Sequence, residues 1–149
     1  MQVAQLEGRL RASYNAAPSL AGRRDQKMKS YRELKVWQTG IEIAHEVYRL
    51  AERLPHVERF GLVSQMKRAA ISIPANIAHG HERETTNEFL HCISSAFGSI
   101  AELETHCYLA VRLGYVGMAD CQGLLDQLDE QGKMLRGLQK ALFAGRYKS

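Results

Sequence analysis

The apolar residues of this chain recur at intervals of three and four positions in four long segments, which is the pattern of amphipathic α-helices. The pattern predicts four helices, over residues 31–53, 57 or 59 to 78, 86–113 and 119–143. Helix-breaking residues lie between them, because Pro55 disfavours helical backbone at the residue before it, and Gly80 and Gly114 have the residue type of C-caps. Since the connections are short, we predict an all-α, antiparallel up-down-up-down four-helix bundle over residues 31–144. Residues 145–149 would fray.

Each predicted helix has one apolar stripe that would face the core of the bundle. In the first helix, the stripe consists of Leu34, Trp37, Ile41, Ala44, Tyr48 and Ala51. The stripes of the other three helices consist of Leu62, Met66, Ala69, Ile73 and Ile77; of Phe89, Ile93, Ala96, Ile100, Leu103, Cys107 and Val111; and of Cys121, Leu124, Leu128, Leu135, Leu138 and Leu142. An apolar share of 45% is enough to fill such a core.

Local features refine the helices. Thr85 or Thr86 can cap the third helix, with Glu88 near the third position of a capping box, and Asp120 can cap the fourth. Pro74 removes one hydrogen bond inside the second helix, so a kink is expected there. The fourth helix contains three glycines, which either weaken it or allow close packing: Gly123, Gly132 and Gly137.

The charge of the chain is unevenly distributed. Residues 1–33 have seven Lys and Arg against three Asp and Glu, whereas residues 34–149 have thirteen of each kind. The formal charge of +4, which by itself would suggest a nucleic-acid partner, therefore resides in the N-terminal segment. We predict that residues 1–30 form a flexible basic arm; the alternative is an arm that contacts phosphates or packs on a neighbouring subunit. Its candidate phosphate contacts are Arg23, Arg24 and Lys27.

The composition favours a cytoplasmic protein. No stretch approaches the roughly 18 consecutive apolar residues of a membrane-spanning helix, and the N-terminus lacks the apolar stretch of a secretory signal. The three cysteines, Cys92, Cys107 and Cys121, have no metal-binding spacing and fit reduced thiols in a reducing compartment. We therefore expect no contact with a membrane.

A metal site is the first chemistry to consider, because four-helix bundles can hold a di-iron centre. The pairs Glu42 with His45 and Glu88 with His91 both have the Glu-x-x-His spacing of such centres. However, the second helix has no acidic residue inside it, and Glu42 lies off the predicted stripe of the first helix. A Gly-rich phosphate loop and a nucleophile elbow are also missing. We therefore expect no metal, no cofactor and no catalytic residue.

Two rows of polar residues run beside the apolar stripes of the second and third helices. The first row consists of Gln65, Arg68, Ser72 and Asn76, and the second consists of Ser95, Ser99, Glu102 and His106. If the rows face each other, Arg68 comes close to Glu102 and can form a half-buried Arg–carboxylate pair. We interpret the rows as a structural network that fixes the register of the two helices. The alternative is that part of the network forms a subunit interface.

The second helix also carries a family motif. This motif is the segment Gln65-Met-Lys-Arg-Ala-Ala-Ile-Ser-Ile-Pro-Ala-Asn-Ile-Ala-His-Gly80, followed by Arg83. It resembles the signature of the four-helix bundle proteins that are encoded in intervening sequences of bacterial 23S ribosomal RNA genes. The opening of that family is similar to Leu34-Lys-Val-Trp-Gln38. Its third-helix and turn motifs are similar to Gly98-Ser-Ile-Ala-Glu-Leu-Glu104 and Leu113-Gly-Tyr115. The resemblance spans residues 31–142, with four motifs in order.

The resemblance implies a four-helix bundle, usually assembled as a homopentameric ring, and it implies no enzymatic activity. It also implies association with RNA, on the ground of the family's genetic location, and related bundles are accessory proteins of reverse transcriptases. The chain departs from the family's pattern at two places. The family usually has Glu at the position of His79, and its members start near the position of Met28, so that translation can begin at Met1 or at Met28.

The sequence therefore predicts a non-enzymatic, oligomeric bundle that associates with structured RNA or other nucleic acid through a basic surface. The candidate phosphate contacts within the bundle are Lys67, Arg68 and Arg83. The alternative is a protein–protein scaffold or accessory subunit, for example of a reverse transcriptase, without affinity of its own for nucleic acid. A metal-binding ferritin-like enzyme is a distant third hypothesis.

Overall fold

The computed structural model of the protein describes residues 30–145. Within this range the chain forms no strand and four α-helices: α1 (Lys35–Ala51), α2 (Leu62–His81), α3 (Thr86–Arg112) and α4 (Met118–Phe143). Two 3₁₀ turns, Tyr31–Glu33 and His56–Glu58, precede α1 and α2. The predicted N-terminal arm, up to residue 29, lies outside the described residues, as do residues 146–149 of the tail.

Contacts between neighbouring helices run in reverse order along the chain, so each helix is antiparallel to the next. Between α1 and α2, Gly40 lies against Pro74 and Tyr48 lies against Lys67. The other three pairs of helices are joined by contacts between Ser72 and Ser99, Gly80 and Phe89, Phe97 and Arg136, Cys107 and Cys121, Val36 and Gln131, and Arg53 and Asp120. The fourth helix thus returns to the first, and the predicted up-down-up-down bundle is confirmed.

Two of the predicted helix ends are confirmed by their local geometry. Thr85 caps α3, because its hydroxyl accepts from the Glu88 backbone N–H at 3.2 Å while a Glu88 carboxylate oxygen accepts from the Thr85 N–H at 3.2 Å. At the other end of α3, Gly114 has a φ of +77°, which an L side chain rarely adopts. The short polar connection before α3 and the tight turn after it therefore follow from residues visible in the sequence.

Other ends differ from the prediction. α2 begins at Leu62 and not at residue 57 or 59, because a 3₁₀ turn intervenes and a Glu58 carboxylate oxygen accepts from the Leu62 N–H at 2.9 Å. The predicted C-cap role of Gly80 is wrong, since α2 continues through it to His81. Asp120 does not occupy the N-cap of α4 itself. It is the third residue of the helix and accepts from the N–H of Gly117, the N-cap residue, at 2.8 Å.

The predicted core stripe of α1 is partly wrong. Ile41 and Tyr48 are each 40% exposed, whereas Ile43 and Val47 are completely buried. The core side of α1 consists of Val36, Gly40, Ile43, Val47, Leu50 and Ala51. A helix that is apolar over a wide arc contains two overlapping stripes about 100° apart, and periodicity by itself does not say which of them meets the core.

The stripes of the other three helices are confirmed, except that Val111 and Leu138 are only partly buried. Pro74 lies inside α2 and is buried, and a Cβ added to Gly40 would lie 3.1 Å from the Cβ of Pro74. The kink at Pro74 stays a prediction. The three glycines of α4 do not allow close packing within the chain, because a Cβ added to any of them would meet nothing within 4 Å.

One polar residue of the core, in the described part of the chain, was not predicted. Gln131 is completely buried in α4, and its Nε2 donates to the backbone carbonyl of Val36 at 2.7 Å. A buried amide needs such a partner, because an unpaired polar group in the core is costly. The hydrogen bond fixes the first turn of α1 against the middle of α4.

Candidate nucleic-acid and subunit interface

The two polar rows predicted on α2 and α3 do meet, but only at their centre. The hydroxyls of Ser72 and Ser99, both half-buried, hydrogen-bond to each other across the two helices. Asn76 lies one turn further along α2, and its Nδ2 donates to the carbonyl of Ser72 at 2.8 Å. These small side chains allow the two helices to approach closely while their polar groups keep hydrogen-bond partners.

The predicted half-buried pair of Arg68 with Glu102 is wrong within a single chain. Arg68 is exposed, and its Nη2 donates to Oε1 of Gln65, three residues earlier on the same helix, at 2.8 Å. Glu102 is exposed as well, and the ion pairs of the described residues do not include one between it and Arg68. Both charged groups remain hydrated, so neither of them needs an ion-pair partner on the other helix. Arg68 instead pairs with a residue three positions away on its own helix.

His106 closes the row on α3. Partial burial lowers the pKa of His106, and the negative charge of Glu102 opposes this effect. Its Nδ1 is buried without a hydrogen-bond partner in the described part of the chain. A neutral imidazole with one such nitrogen fits a structural position better than a phosphate contact, which would need a protonated ring.

The three basic candidates of the bundle are not close together. Lys67 is half-buried, and its Nζ lies 4.7 Å from the ring centre of Tyr48 on α1. Arg68 is exposed and lies one turn before Ser72, which contacts Ser99 of α3, and Arg83 lies beyond the end of α2 in contact with His79. Fifteen residues of helix correspond to about 22 Å, so Arg68 and Arg83 are far apart. The other candidates, Arg23, Arg24 and Lys27, lie outside the described residues.

Charge nevertheless distinguishes α2 from the other helices. α2 contains Lys67, Arg68 and no Asp or Glu, whereas α1, α3 and α4 contain two, three and four acidic residues. Residues 30–145 as a whole have twelve Lys and Arg against fourteen Asp and Glu. A surface that attracts phosphate must therefore be local, and α2 is the helix where no acid opposes it.

A second feature is an exposed apolar surface formed by Ile41, Ala44, Tyr48 and Ile71, which we call the α1–α2 face. Ile41 and Tyr48 are 40% exposed and Ile71 is 47% exposed. Gly40 contacts Pro74 and Tyr48 contacts Lys67, so these residues lie near the line along which α1 and α2 meet. The sequence analysis assigned no role to Ile71. It could have been recognised as an apolar residue that lies off the predicted core stripe of α2.

A cleft of about 450 Å³ lies on the opposite side of α1, against the start of α4. Each of its two arginines already has a carboxylate partner. Arg53 Nη1 lies 2.5 Å from Asp120 Oδ1, and Arg49 Nη1 lies 3.4 Å from Glu46 Oε1. Since the remaining lining residues are apolar or amide side chains and a glycine, the cleft offers neither a nucleophile nor a free charge for catalysis.

The ion pair of Arg53 with Asp120 makes the stability of the protein depend on pH. Hydrogen bonds from Arg53 and from the Gly117 N–H hold the pKa of Asp120 below its usual value. A lowered pKa means that the carboxylate stabilises the fold at pH values above about 3.9, and that this contribution is lost as the pH falls through the folded-state pKa. We expect Asp120→Asn to lower the melting temperature at pH 7 but to have a smaller effect at pH 3.

Thermal melts followed by circular dichroism at the two pH values test this expectation. Glu42→Gln, which neutralises an exposed carboxylate of α1, is the control and should have the same small effect at both. An effect of Asp120→Asn that did not change between pH 7 and pH 3 would contradict the role of the Asp120 charge.

The two Glu-x-x-His pairs that were considered for a di-iron centre do not come together in the described residues. Glu42, His45 and His91 are exposed, and Glu88 is engaged in the cap of α3. Over residues 30–145, no group of three His, Cys, Asp or Glu side chains could hold a metal ion. The three cysteines are free and buried, and burial raises the pKa of Cys107 to about 12. None of the described helices is long and apolar enough to cross a membrane.

Comparison with known proteins identifies the family. A family model described as "23S rRNA-intervening sequence protein" matches residues 32–137. The chain belongs to this family. The match confirms the predicted resemblance, and it includes Lys67, Arg68 and Arg83 but not Arg23, Arg24 or Lys27.

The chain is also similar to a solved structure. That structure is a protein of unknown function from the S23 ribosomal protein family of Bacteroides thetaiotaomicron VPI-5482. The two chains are 22% identical with a TM-score of 0.64, over 69% of this chain and 96% of the other. At this identity the similarity shows the shared fold. No curated protein matches the chain.

Proposed function

We propose that this protein is a non-enzymatic, oligomeric bundle that associates with structured RNA or other nucleic acid through the surface of α2. The observation that carries the proposal is the absence of acidic residues from α2, in a bundle whose other three helices have two to four each. The name of the family, which refers to intervening sequences of 23S rRNA, is consistent with such a partner.

The proposed contact is mainly electrostatic. Lys67 and Arg68 of α2, with Arg83 just beyond the helix, would neutralise phosphates and release condensed counterions. Two or three cations of a single copy give only weak binding. An oligomer multiplies the number of cations that one RNA can meet, so assembly and RNA binding support each other.

Assembly is supported by the α1–α2 face. Three large apolar side chains of these two neighbouring helices, Ile41, Tyr48 and Ile71, remain 40–47% exposed. Large exposed apolar patches mark interaction sites in soluble proteins. We propose that copies of the chain meet there, as a homo-oligomer and specifically a homopentamer. Light scattering at micromolar concentration should give a mass several times the 16.8 kDa of one chain, and a monomer mass would contradict the proposal.

Fluorescence anisotropy with a labelled RNA hairpin tests the RNA contact. We expect binding that weakens steeply between about 50 and 200 mM salt, because counterion release dominates. The double variant Lys67→Ala/Arg68→Ala should bind more weakly and should lower the slope of log K against log salt by about 0.7–0.9 for each lost contact.

Arg49→Ala is the matched control, because Arg49 is an exposed arginine of α1 that is paired with Glu46. It should change neither the affinity nor the salt slope. If the wild-type protein bound neither RNA nor DNA at low salt, the proposed function would be wrong.

A second candidate function is a protein–protein scaffold, or an accessory subunit of an enzyme such as a reverse transcriptase, without nucleic-acid affinity of its own. It is favoured by the balance of charge in residues 30–145, where acidic residues outnumber basic ones. A reverse transcriptase gene next to the gene of this protein would support it, whereas a position inside an rRNA gene would support the RNA-binding proposal.

A further inference from the structure

The connection between α1 and α2 presents an aromatic ring to solvent. Phe60 is 83% exposed and Val57 is 78% exposed, more than any other large apolar side chain of the described residues. Exposure of a whole aromatic ring loses the favourable free energy that its burial would provide. Phe60 takes no part in the core, so the packing of the bundle does not explain its residue type.

The loop that carries Phe60 is held in place from both sides. The carboxylate of Glu58 accepts from the Leu62 N–H at 2.9 Å and from the hydroxyl of Tyr115 at 3.0 Å. Tyr115 belongs to the connection between α3 and α4, so the two connections at this end of the bundle are joined. The Gly61 N–H also donates to the carbonyl of Glu58 at 3.0 Å. The ring is therefore presented on an ordered loop, which lowers the entropy lost on binding.

A cation covers part of this ring. The guanidinium carbon of Arg59 lies 4.7 Å from the centre of the Phe60 ring, and Nη1 of Arg59 donates to the carbonyl of His56 at 3.3 Å. The ion pairs of residues 30–145 do not include Arg59. Its positive charge is thus not neutralised, and it stands beside a flat apolar surface.

We propose that Phe60 and Arg59 form a stacking site for an unpaired nucleobase of RNA, which rests on the proposed function and extends it. An aromatic ring stacks on any base, and an adjacent guanidinium adds a cation–π contact and a charge for the phosphate. The helix that follows the loop has no opposing acid either, because residues 59–81 contain no Asp or Glu, and Arg68 lies about 9 Å along the helix axis from Leu62. An unneutralised cation at the ring favours a nucleotide over an apolar protein segment.

The test compares two labelled RNAs by anisotropy: a hairpin with a loop of unpaired uridines, and a blunt duplex of the same stem. Phe60→Ala is expected to weaken binding of the hairpin about 5- to 150-fold, which corresponds to the free energy of stacking one base on an aromatic ring, and to leave the duplex unaffected. The salt slope should stay the same, because no charge is removed. Phe60→Trp should retain the affinity for the hairpin.

A spectroscopic measurement adds direct evidence of stacking. In a Trp37→Phe background, the tryptophan of Phe60→Trp is the only one in the chain, since the wild type contains a single Trp. Its fluorescence should be quenched when the hairpin binds. Val57→Ala, a change in the same loop that removes no ring, is the control and should leave the affinity for both RNAs unchanged.

The outcomes are distinguishable. If Phe60→Ala bound the hairpin as tightly as wild type while Lys67→Ala/Arg68→Ala bound it weakly, the stacking site would be wrong and the proposed function would stand. If the wild type bound neither RNA, both proposals would fall. If Phe60→Ala kept its RNA affinity but lowered the mass found by light scattering, the ring would be a subunit contact, and the stacking site would again be wrong.

Discussion

Ile43→Ala is expected to lower the free energy of unfolding by about 2–5 kcal/mol, which is the usual cost of emptying a buried isoleucine site. Ile43 lies in the middle of α1 and is completely buried. Its removal leaves a cavity among side chains of the core that the helices hold in place. Urea unfolding followed by circular dichroism, at one fixed protein concentration, measures the change.

Ile41→Ala is the matched control, because it makes the same chemical change two residues away on the same helix. Ile41 is 40% exposed, so its loss should cost the fold of one chain much less. If copies meet at the α1–α2 face, Ile41→Ala should instead lower the mass found by light scattering. Ile43→Ala should leave that mass unchanged at a temperature at which the variant remains folded. Equal losses of unfolding free energy in the two variants would mean that α1 does not turn Ile43 towards the core and Ile41 towards solvent.

Gly80→Ala is expected to destabilise the protein by about 1–3 kcal/mol, although alanine is the better helix former by about 1 kcal/mol. A Cβ at this position would lie 2.5 Å from Cδ2 of Phe89 and 2.8 Å from the Cβ of Cys92. Both neighbours are buried on α3, and Cβ of Cys92 cannot move without its backbone. The variant must therefore push α2 and α3 apart or rotate the Phe89 ring.

Gly123→Ala supplies the contrast. Gly123 is also inside a helix, but a Cβ there would meet nothing within 4 Å, so only the gain in helix propensity remains. We expect it to stabilise the protein by up to about 1 kcal/mol in the same urea experiment. Destabilisation by Gly123→Ala would indicate that another copy of the chain packs against α4, and stabilisation by Gly80→Ala would contradict the close approach of α2 and α3.

The two roles of Gly80 mark where reasoning from the sequence was sufficient and where it was not. The motif at Gln65–Gly80 identified the family. Gly80 is the last residue of this motif, but its close contact with α3 could not be predicted from the motif. A glycine near the end of an apolar pattern is read as a C-cap, because positive φ is its commonest use there. Close approach of another helix leaves no local trace, so the steric role of Gly80 needed the position of Phe89.

The candidate site was predictable to a similar degree. The row on α2 placed Ser72 and Asn76 on the side that meets α3, and the contact of Ser72 with Ser99 is present. The predicted pairing of Arg68 with Glu102 is absent, because a long exposed side chain can reach a partner on its own helix as well as one on the neighbouring helix. Differences of a few ångström in the distances between side chains select the partner, and helical spacing in the sequence does not give these distances.

The number of helices, the capping box at Thr85, the turn at Gly114 and the family could all be predicted from the sequence, because each depends on residues close together in the chain. The folded structure shows which side of α1 faces the core, that the candidate cations do not lie together, and where Phe60 is held. These depend on how helices rotate and approach one another. An apolar arc as wide as that of α1 is compatible with several rotations, and only the packing of α2 and α4 against it selects one.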